Sequence, residues 1–362
     1  MKIFIDIGHP AHVHYFRNFI RLMQEKGHEF FVSARERSII HYLLKQYKIA
    51  YYNRGKGRNG AIGKLWYMLI ADFRLLKQAK RFKPDIFISF ASPYTAQVSW
   101  ILGKPHIVLD DTEHARFGHM FYKPFSSVFL NPRCFQKDFG SRQIRFNSFT
   151  ELFYLHSYYY SPDKEILSLL KISQEDKYIL LRFVSWEANH DLGHSGLDIN
   201  TKKQLVNLFI ERGFKVFISS ESDRIDPFFH PWLINIPPER MHDVLKYCEL
   251  FVSESGTMAS EAAILGTPVV YVNSLPLMGY LEEEQNAGML FHFPASEKVI
   301  DKVNEILSMP DFRETFQSRS KKMLEDKIDV TAFLVWFVEN YPQSFIKMKR
   351  YPEYEYQFKG SI

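Results

Sequence analysis

Residues 253–273 read SESGTMASEAAILGTPVVYVN. Leu250, Phe251 and Val252 just before them form an apolar run too short for a helix, so the run reads as a buried strand. Ser253, Ser255, Gly256 and Thr257 make a turn rich in helix N-caps. Met258 to Leu265 are helix formers, Gly266 supplies a C-cap, and Pro268 forbids continuation. Val269 to Val272 is a second buried strand. Strand, small-residue turn, helix and strand make one βαβ unit with parallel strands. The turn then lies at the carboxyl end of a strand, where open α/β sheets bind ligands. Unpaired N–H groups at a helix start favour an anion such as a phosphate. Glu261, about a turn further in, repels phosphate and suits sugar hydroxyls. A nucleotide diphosphate with a ribose meets both demands. The plainer alternative is that small residues merely let a helix approach a sheet, with Glu261 solvated.

The rest of the chain continues the alternation. Its 362 residues suit two domains of ordinary size. Strands are expected at Lys2–Ile7, Gly27–Ser33, Lys83–Phe90 and Lys104–Asp111, with short ones near 126–132 and 142–148. Helices fall between them, including a long one over Ile62–Phe82 whose aromatic part, Leu65–Phe82, reads as core rather than as a membrane anchor. A basic loop, NRGKGRNG at 53–60, suits either an acidic acceptor such as a lipid phosphate or plain solvent. The Tyr-rich stretch 147–161 reads as a linker. A second set of strands follows at 177–184, 213–220, 232–238, 250–252, 269–272 and 288–293. Such alternation means parallel sheets covered on both faces.

A net charge of +5 fits an anionic substrate or an anionic membrane surface. No dense Lys/Arg block supports nucleic-acid binding. Cys134 and Cys248 form neither a disulfide framework nor a CxxC pair, which points to a reducing cytosol. Met1 to Asp6 reads as a strand and not as a signal peptide, and no apolar run reaches transmembrane length. The expected location is the cytoplasm, with any membrane contact peripheral and at the inner face.

Two doubly wound halves, a glycine-bearing loop after the first strand, and Ser253–Thr257, Glu261–Ala262 and Leu265–Val269 together resemble the GT-B fold. Many nucleotide-sugar glycosyltransferases and the UDP-N-acetylglucosamine 2-epimerases share that fold. The resemblance implies an α/β architecture of two Rossmann-like domains facing a central cleft. Residues 1–150 would form the acceptor domain, joined by 330–362, and 165–329 the donor domain. It also implies that Ser255, Gly256 and Thr257 meet the diphosphate and that Glu261 takes the ribose hydroxyls. EEEQNAG at 282–288 resembles the segment that closes over the donor, which makes Glu283 a substrate contact. IDIGHPAHVHYFRNFI at 5–20 and LLRFVSWEANHDLGHSG at 180–196 resemble, more closely, a prokaryotic domain-of-unknown-function family with this fold.

Three further clusters carry chemistry. Gly8, His9, His12 and His14 follow the first strand. Gly8 suits close backbone approach to a ligand, and His12 is the first choice for a general base, with His14 as a substrate contact. The alternative is helix-start and surface histidines. HxH alone makes no metal site, so neither metal nor cofactor is expected. DDTEHAR at 110–116 ends another strand; one aspartate reads as a helix cap, and Asp111 and Glu113 as catalytic candidates. The epimerases also carry Gly-Asp-Thr after the preceding strand, where this chain has Phe90-Ala91-Ser92, and that counts against C2 epimerisation. Arg182, Trp186, Glu187, His190, Asp191 and His194 follow the first strand of the second half. By resemblance, Arg182 or His190 would contact phosphates through charge-assisted bonds.

The leading expectation is a glycosyltransferase using a nucleotide-diphosphate sugar, UDP-linked first, in cell-surface polysaccharide or glycolipid synthesis. A nucleotide-sugar 2-epimerase and a non-catalytic nucleotide-sugar-binding protein are the alternatives.

Overall fold

Near-continuous apolar strands such as KIFIDI and IFISF need cover on both faces, and parallel sheets provide it. The computed structural model describes residues 1–57, 60–184, 196–221 and 225–360. The chain divides into two units, Met1–Tyr159 with Asp326–Ser361, and Tyr160–Glu325.

The first unit runs β1 (Lys2–Ile7), α1 (Pro10–Glu25), β2 (Glu29–Arg35), α2 (Ser38–Gln46), β3 (Tyr52–Gly55) and α3 (Ala61–Phe82). It continues with β4 (Ile86–Phe90), α4 (Pro93–Ile101), β5 (His106–Leu109), α5 (Arg116–Tyr122), β6 (Val128–Pro132), β7 (Gln143–Phe146) and α6 (Leu152–Leu155). All neighbours are parallel, in the order β3-β2-β1-β4-β5-β6-β7. The strand order reverses at β1/β4, the point where such sheets open a binding crevice. Right-handed crossovers put α1 and α2 on one face and α3, α4 and α5 on the other.

The second unit runs α7 (Glu165–Leu169), β8 (Tyr178–Phe183), α8 (Ile199–Glu211), β9 (Lys215–Ser220), α9 (Met241–Tyr247), β10 (Phe251–Ser253) and α10 (Gly256–Ile264). β11 (Val269–Val272), α11 (Gly279–Asn286), β12 (Leu290–Phe293), α12 (Val299–Leu307) and α13 (Phe312–Leu324) complete it. Its parallel order is β12-β11-β10-β8-β9, with the reversal at β8/β10. α14 (Val330–Glu339) and α15 (Gln343–Arg350) belong to the first unit, where α14 packs on α1 and α6. This architecture is the two-lobed GT-B type of α/β fold.

Four sequence expectations change. The 232–238 segment is no strand: Pro231, Pro237 and Pro238 lack the amides a ladder needs, and only a single bridge, Leu233 to Ile218, remains. Conversely, Tyr52–Gly55 is an edge strand at the start of the expected basic loop. The stretch 147–161 is no loose linker, because Phe149, Leu152, Phe153 and Tyr154 are buried in the first unit. The long helix α3 is core on one face only. Tyr67, Ala71, Leu75 and Ala79, four residues apart, are buried, whereas Leu65, Trp66, Leu69 and Phe73 are exposed.

Candidate functional site

At the β1/β4 reversal, Asp6 is fully buried at the end of an otherwise apolar strand. Its Oδ1 accepts from Ser33 Oγ at 2.6 Å and Arg54 Nε at 2.9 Å, and its Oδ2 from Ser92 Oγ at 2.7 Å. Arg54 Nη1 donates to the Tyr67 hydroxyl (2.7 Å), which donates to the Gly55 carbonyl (2.9 Å). The guanidinium carbon lies 4.2 Å from the Tyr94 ring centroid. Arg54 Nη2 is 3.7 Å from where a Cβ on Gly8 would stand, so the network braces the loop after β1.

In that loop the Gly8 N–H donates to His12 Nδ1 at 3.3 Å. The neutral ring therefore carries its proton on Nε2, as a donor. Desolvation, followed by the His9 and Arg54 charges, holds the His12 pKa well below its ordinary value, so the ring is neutral at physiological pH. His9 caps α1 by accepting from the Ala11 N–H at 3.3 Å. His14 lies on another side of α1, buried between Tyr47 and Tyr154 with ring centroids 5.8 and 5.2 Å away. His12 and His14 thus do not converge. Among the described residues no cluster of three or more His, Cys, Asp or Glu side chains could hold a metal.

At the end of β5 the two aspartates separate in role. Asp110 is structural: it accepts from the Thr112 N–H (2.9 Å) and the Tyr122 hydroxyl, and pairs with His119 Nε2 at 3.0 Å. Asp111 accepts from Thr150 Oγ1 at 2.6 Å and Thr112 Oγ1 at 3.0 Å. Burial pushes Asp111 up to about 7; the two hydroxyls pull it down, and the Asp110 and Glu113 carboxylates push it further up. A carboxyl poised there can take or give a proton at working pH. Glu113 is buried and accepts from the Gln136 N–H at 3.1 Å. Sequence reading missed Thr150 and the buried Glu151 beside it, because they fall in the stretch read as linker.

The second unit carries a cluster of its own. Ser253 Oγ accepts from the Ser255 N–H at 2.9 Å and donates to the Ser255 carbonyl at 3.0 Å, folding the chain sharply after β10. Ser255 stands at the N-cap of α10 with extended dihedrals and no side-chain cap bond. The amides of Gly256 and Thr257 therefore open the helix with its positive dipole end and no hydroxyl across them. Gly256 is hemmed in: a Cβ there would stand 3.4 Å from Met278 Cε and from the Tyr271 and Tyr280 hydroxyls. Those two tyrosines beside the helix start were not anticipated. Glu261 is buried, with Oε1 3.2 Å from His242 Nε2. Glu283 is half-buried on α11, while its neighbour Glu284 is fully buried and accepts from Ser260 Oγ.

Arg182, expected on phosphates, donates to Ser219 Oγ (2.7 Å) and Glu221 Oε1 (2.6 Å); among the described residues its buried Nε has no partner. His190, with Trp186, Glu187, Asp191 and His194, lies outside the described residues. Glu254, also missed, accepts from the Val184 and Leu197 amides at 2.8 Å each and from Lys202 Nζ at 2.9 Å. It ties together the residues flanking 185–195, and a Cβ on Gly196 would collide with its carboxylate. Glu254→Gln should lower stability by about 1–3 kcal/mol, read from urea midpoints, because Lys202 and one amide lose a charged acceptor.

The fold is the one seen in solved GT-B glycosyltransferases and UDP-sugar 2-epimerases. The S. aureus MnaA–UDP structure is similar over 92% of this chain and 96% of its own (TM-score 0.65, 12% identity). UDP-GlcNAc 2-epimerase from Neisseria meningitidis bound to UDP-GlcNAc matches over 96% and 100% (0.64, 13%), and the spinosyn rhamnosyltransferase SpnG with its aglycone over 94% and 100% (0.61, 15%). Within that fold the chain belongs to the family described as Protein of unknown function (DUF354), which matches residues 1–341. An uncharacterized protein of Methanocaldococcus jannaschii is 25% identical over 320 residues, covering 85% of this chain and 92% of the relative.

Proposed function

We propose that the protein is a glycosyltransferase that moves a sugar from a nucleotide diphosphate, UDP first, to a hydroxyl of a surface polysaccharide or glycolipid. The start of α10 carries this reading: amides without a side-chain cap, a glycine hemmed by two tyrosine hydroxyls, and a buried glutamate one turn on. The amides and the helix dipole would hold the diphosphate and stabilise it as the leaving group. Glu261 would accept hydrogen bonds from the ribose hydroxyls. Asp111, near neutrality, is the better base for the acceptor hydroxyl. His12, neutral with its proton on Nε2, would donate to and orient a substrate oxygen.

C2 epimerisation needs proton-transfer groups on both faces of the sugar ring. Ala91 stands where the expected acid would be, and the neighbouring Ser92 hydroxyl is committed to Asp6. This favours transfer. UDP leads because the S. aureus and Neisseria structures hold UDP and UDP-GlcNAc.

A thermal-shift screen with UDP, GDP, ADP and CMP tests the reading on wild type and Glu261→Gln. A nucleotide at about 100 times its Kd should stabilise wild type by about 2.7 kcal/mol. Glu261→Gln should weaken that binding about tenfold or more, through loss of charged acceptors. Asp111→Asn should bind nucleotide normally and lose about 10²–10⁴-fold in transfer rate. Melting curves that no nucleotide moves would falsify the donor site.

A further inference from the structure

We propose that the outer face of α3, α4 and α5 docks on an anionic lipid membrane. On α3, Leu65, Leu69 and Phe73 follow one another at four-residue spacing with Trp66 alongside, and all are exposed, Phe73 to 72%. On α4, Trp100 and Ile101 are exposed, and on α5, Phe117 and Met120. These three helices share one side of the sheet. They lie side by side: Gln97 Nε2 on α4 donates to Met68 Sδ on α3 (3.7 Å) and to the Phe121 carbonyl on α5 (3.3 Å). The exposed apolar residues therefore form one contiguous helical layer, larger than the scattered surface leucines that need no explanation.

The charge of the layer identifies its occupant. The α3 stripe runs directly into Lys77, Lys80 and Arg81, all exposed, and Lys104 and Arg116 are exposed at α4 and α5. Between residues 61 and 123 the acids are Asp72, Asp85, Asp110, Asp111 and Glu113. Asp110, Asp111 and Glu113 are buried and Asp72 half-buried. Asp85 is exposed, and it accepts from the Lys2 N–H at the opposite end of the sheet from the β1 loop. A protein partner of mixed charge would be matched by charges of both signs. An anionic bilayer asks for tryptophan, phenylalanine and leucine at the headgroup level with cations alone around them. Beside the stripe a groove of about 520 Å³, lined by Tyr52, Trp66, Phe73, Arg74, Lys77 and Gln78, offers an apolar wall with a cationic rim for a lipid headgroup and its first methylenes. Among the described residues no helix is long and apolar enough to cross a membrane, so contact is at the surface.

This inference stands on different residues from the nucleotide reading. Its test is sedimentation of the full chain with vesicles of phosphatidylglycerol and phosphatidylcholine, against phosphatidylcholine alone. Two variants are compared, Trp66→Ala/Leu69→Ala/Phe73→Ala and Lys77→Glu/Lys80→Glu. All changes are at exposed positions, so thermal melts and nucleotide response should match wild type. Wild type should sediment with the anionic vesicles, weakly with neutral ones, and each variant should lose about tenfold or more in partitioning. Raising salt to about 0.5 M should release wild type. Wild type left in the supernatant, or both variants binding as wild type does, overturns the proposal. A dimer in light scattering that the triple variant dissolves, without vesicle binding, assigns the face to a second copy instead.

Discussion

Asp6→Asn is expected to lower the stability of the protein by about 3–5 kcal/mol, seen as a large drop in the urea midpoint. The reason lies in what remains behind. Arg54 is 2% exposed, and its guanidinium meets Asp6 on one side and Tyr67 and Tyr94 on the other. Burial alone would lower the Arg54 pKa; the Asp6 carboxylate, with the two tyrosines, raises it above its ordinary value. The cation therefore stays charged in the variant and loses its counter-ion, and Ser33 and Ser92 lose a charged acceptor. Arg54→Met should also destabilise. The double variant Asp6→Asn/Arg54→Met should be less damaged than the two single losses sum to, because no buried charge is left alone. A midpoint for Asp6→Asn within about 1 kcal/mol of wild type would show that solvent reaches Arg54 and that the network braces nothing. The same cycle has a functional readout. The network holds Gly8 beside Arg54 and so sets the Gly8 amide on His12 Nδ1. Arg54→Met removes one of the charges that hold the His12 pKa down, so a ring-proton titration should record a rise in that variant, whereas Asp6→Asn, which keeps the cation, should not raise it.

The pattern of what was legible follows from the range of the interactions. The β10–α10–β11 unit could be read residue by residue because its signals are local: apolar runs, a small-residue turn, and Gly266 with Pro268 at the stop. Asp6 was not singled out: a lone acid in KIFIDI has to find a partner once buried, but nothing local names Arg54, 48 positions away. Glu254 was hidden in the same way, because its partners Val184, Leu197 and Lys202 come from another βα connection. The misreading of 232–238 has a local cause. Ile234 and Ile236, alternating about Asn235, satisfy a strand period, while the flanking prolines, which carry more weight, remove the donors. Thr150 and Glu151 were lost because tyrosine-rich sequence was taken for a connection, although large aromatic residues are what a core recruits. On α3 the buried and exposed stripes are both apolar, so periodicity alone could not show that one of them faces outward.

Glu284→Gln should make the protein more stable at alkaline pH while leaving it unchanged near pH 5. Glu284 is fully buried; Ser260 Oγ donates to its Oε1, and among the described residues its Oε2 has no partner. Burial pushes the carboxyl up to about 8 from 4.5, with the Ser260 bond pulling it down and Glu283 pushing it further up. Between those values the unfolded chain releases the proton and the folded chain keeps it. The folded state then binds more protons, so stability falls as pH rises through the window and levels off above the folded pKa. The loss is on the order of a few kcal/mol in all, at about 1.4 kcal/mol per pH unit where the difference is complete. Glutamine has the shape of the neutral acid and does not titrate. Plotted as variant minus wild type from pH 5 to pH 9, melting temperatures should diverge upward through the window, which isolates this residue from Asp111, whose titration is common to both proteins. Parallel curves would mean that Glu284 ionises in place, with α11 free to move off α10. Divergence instead would mean that a neutral carboxyl locks α11 onto the residue preceding Glu261, and that this lock weakens as the medium becomes alkaline.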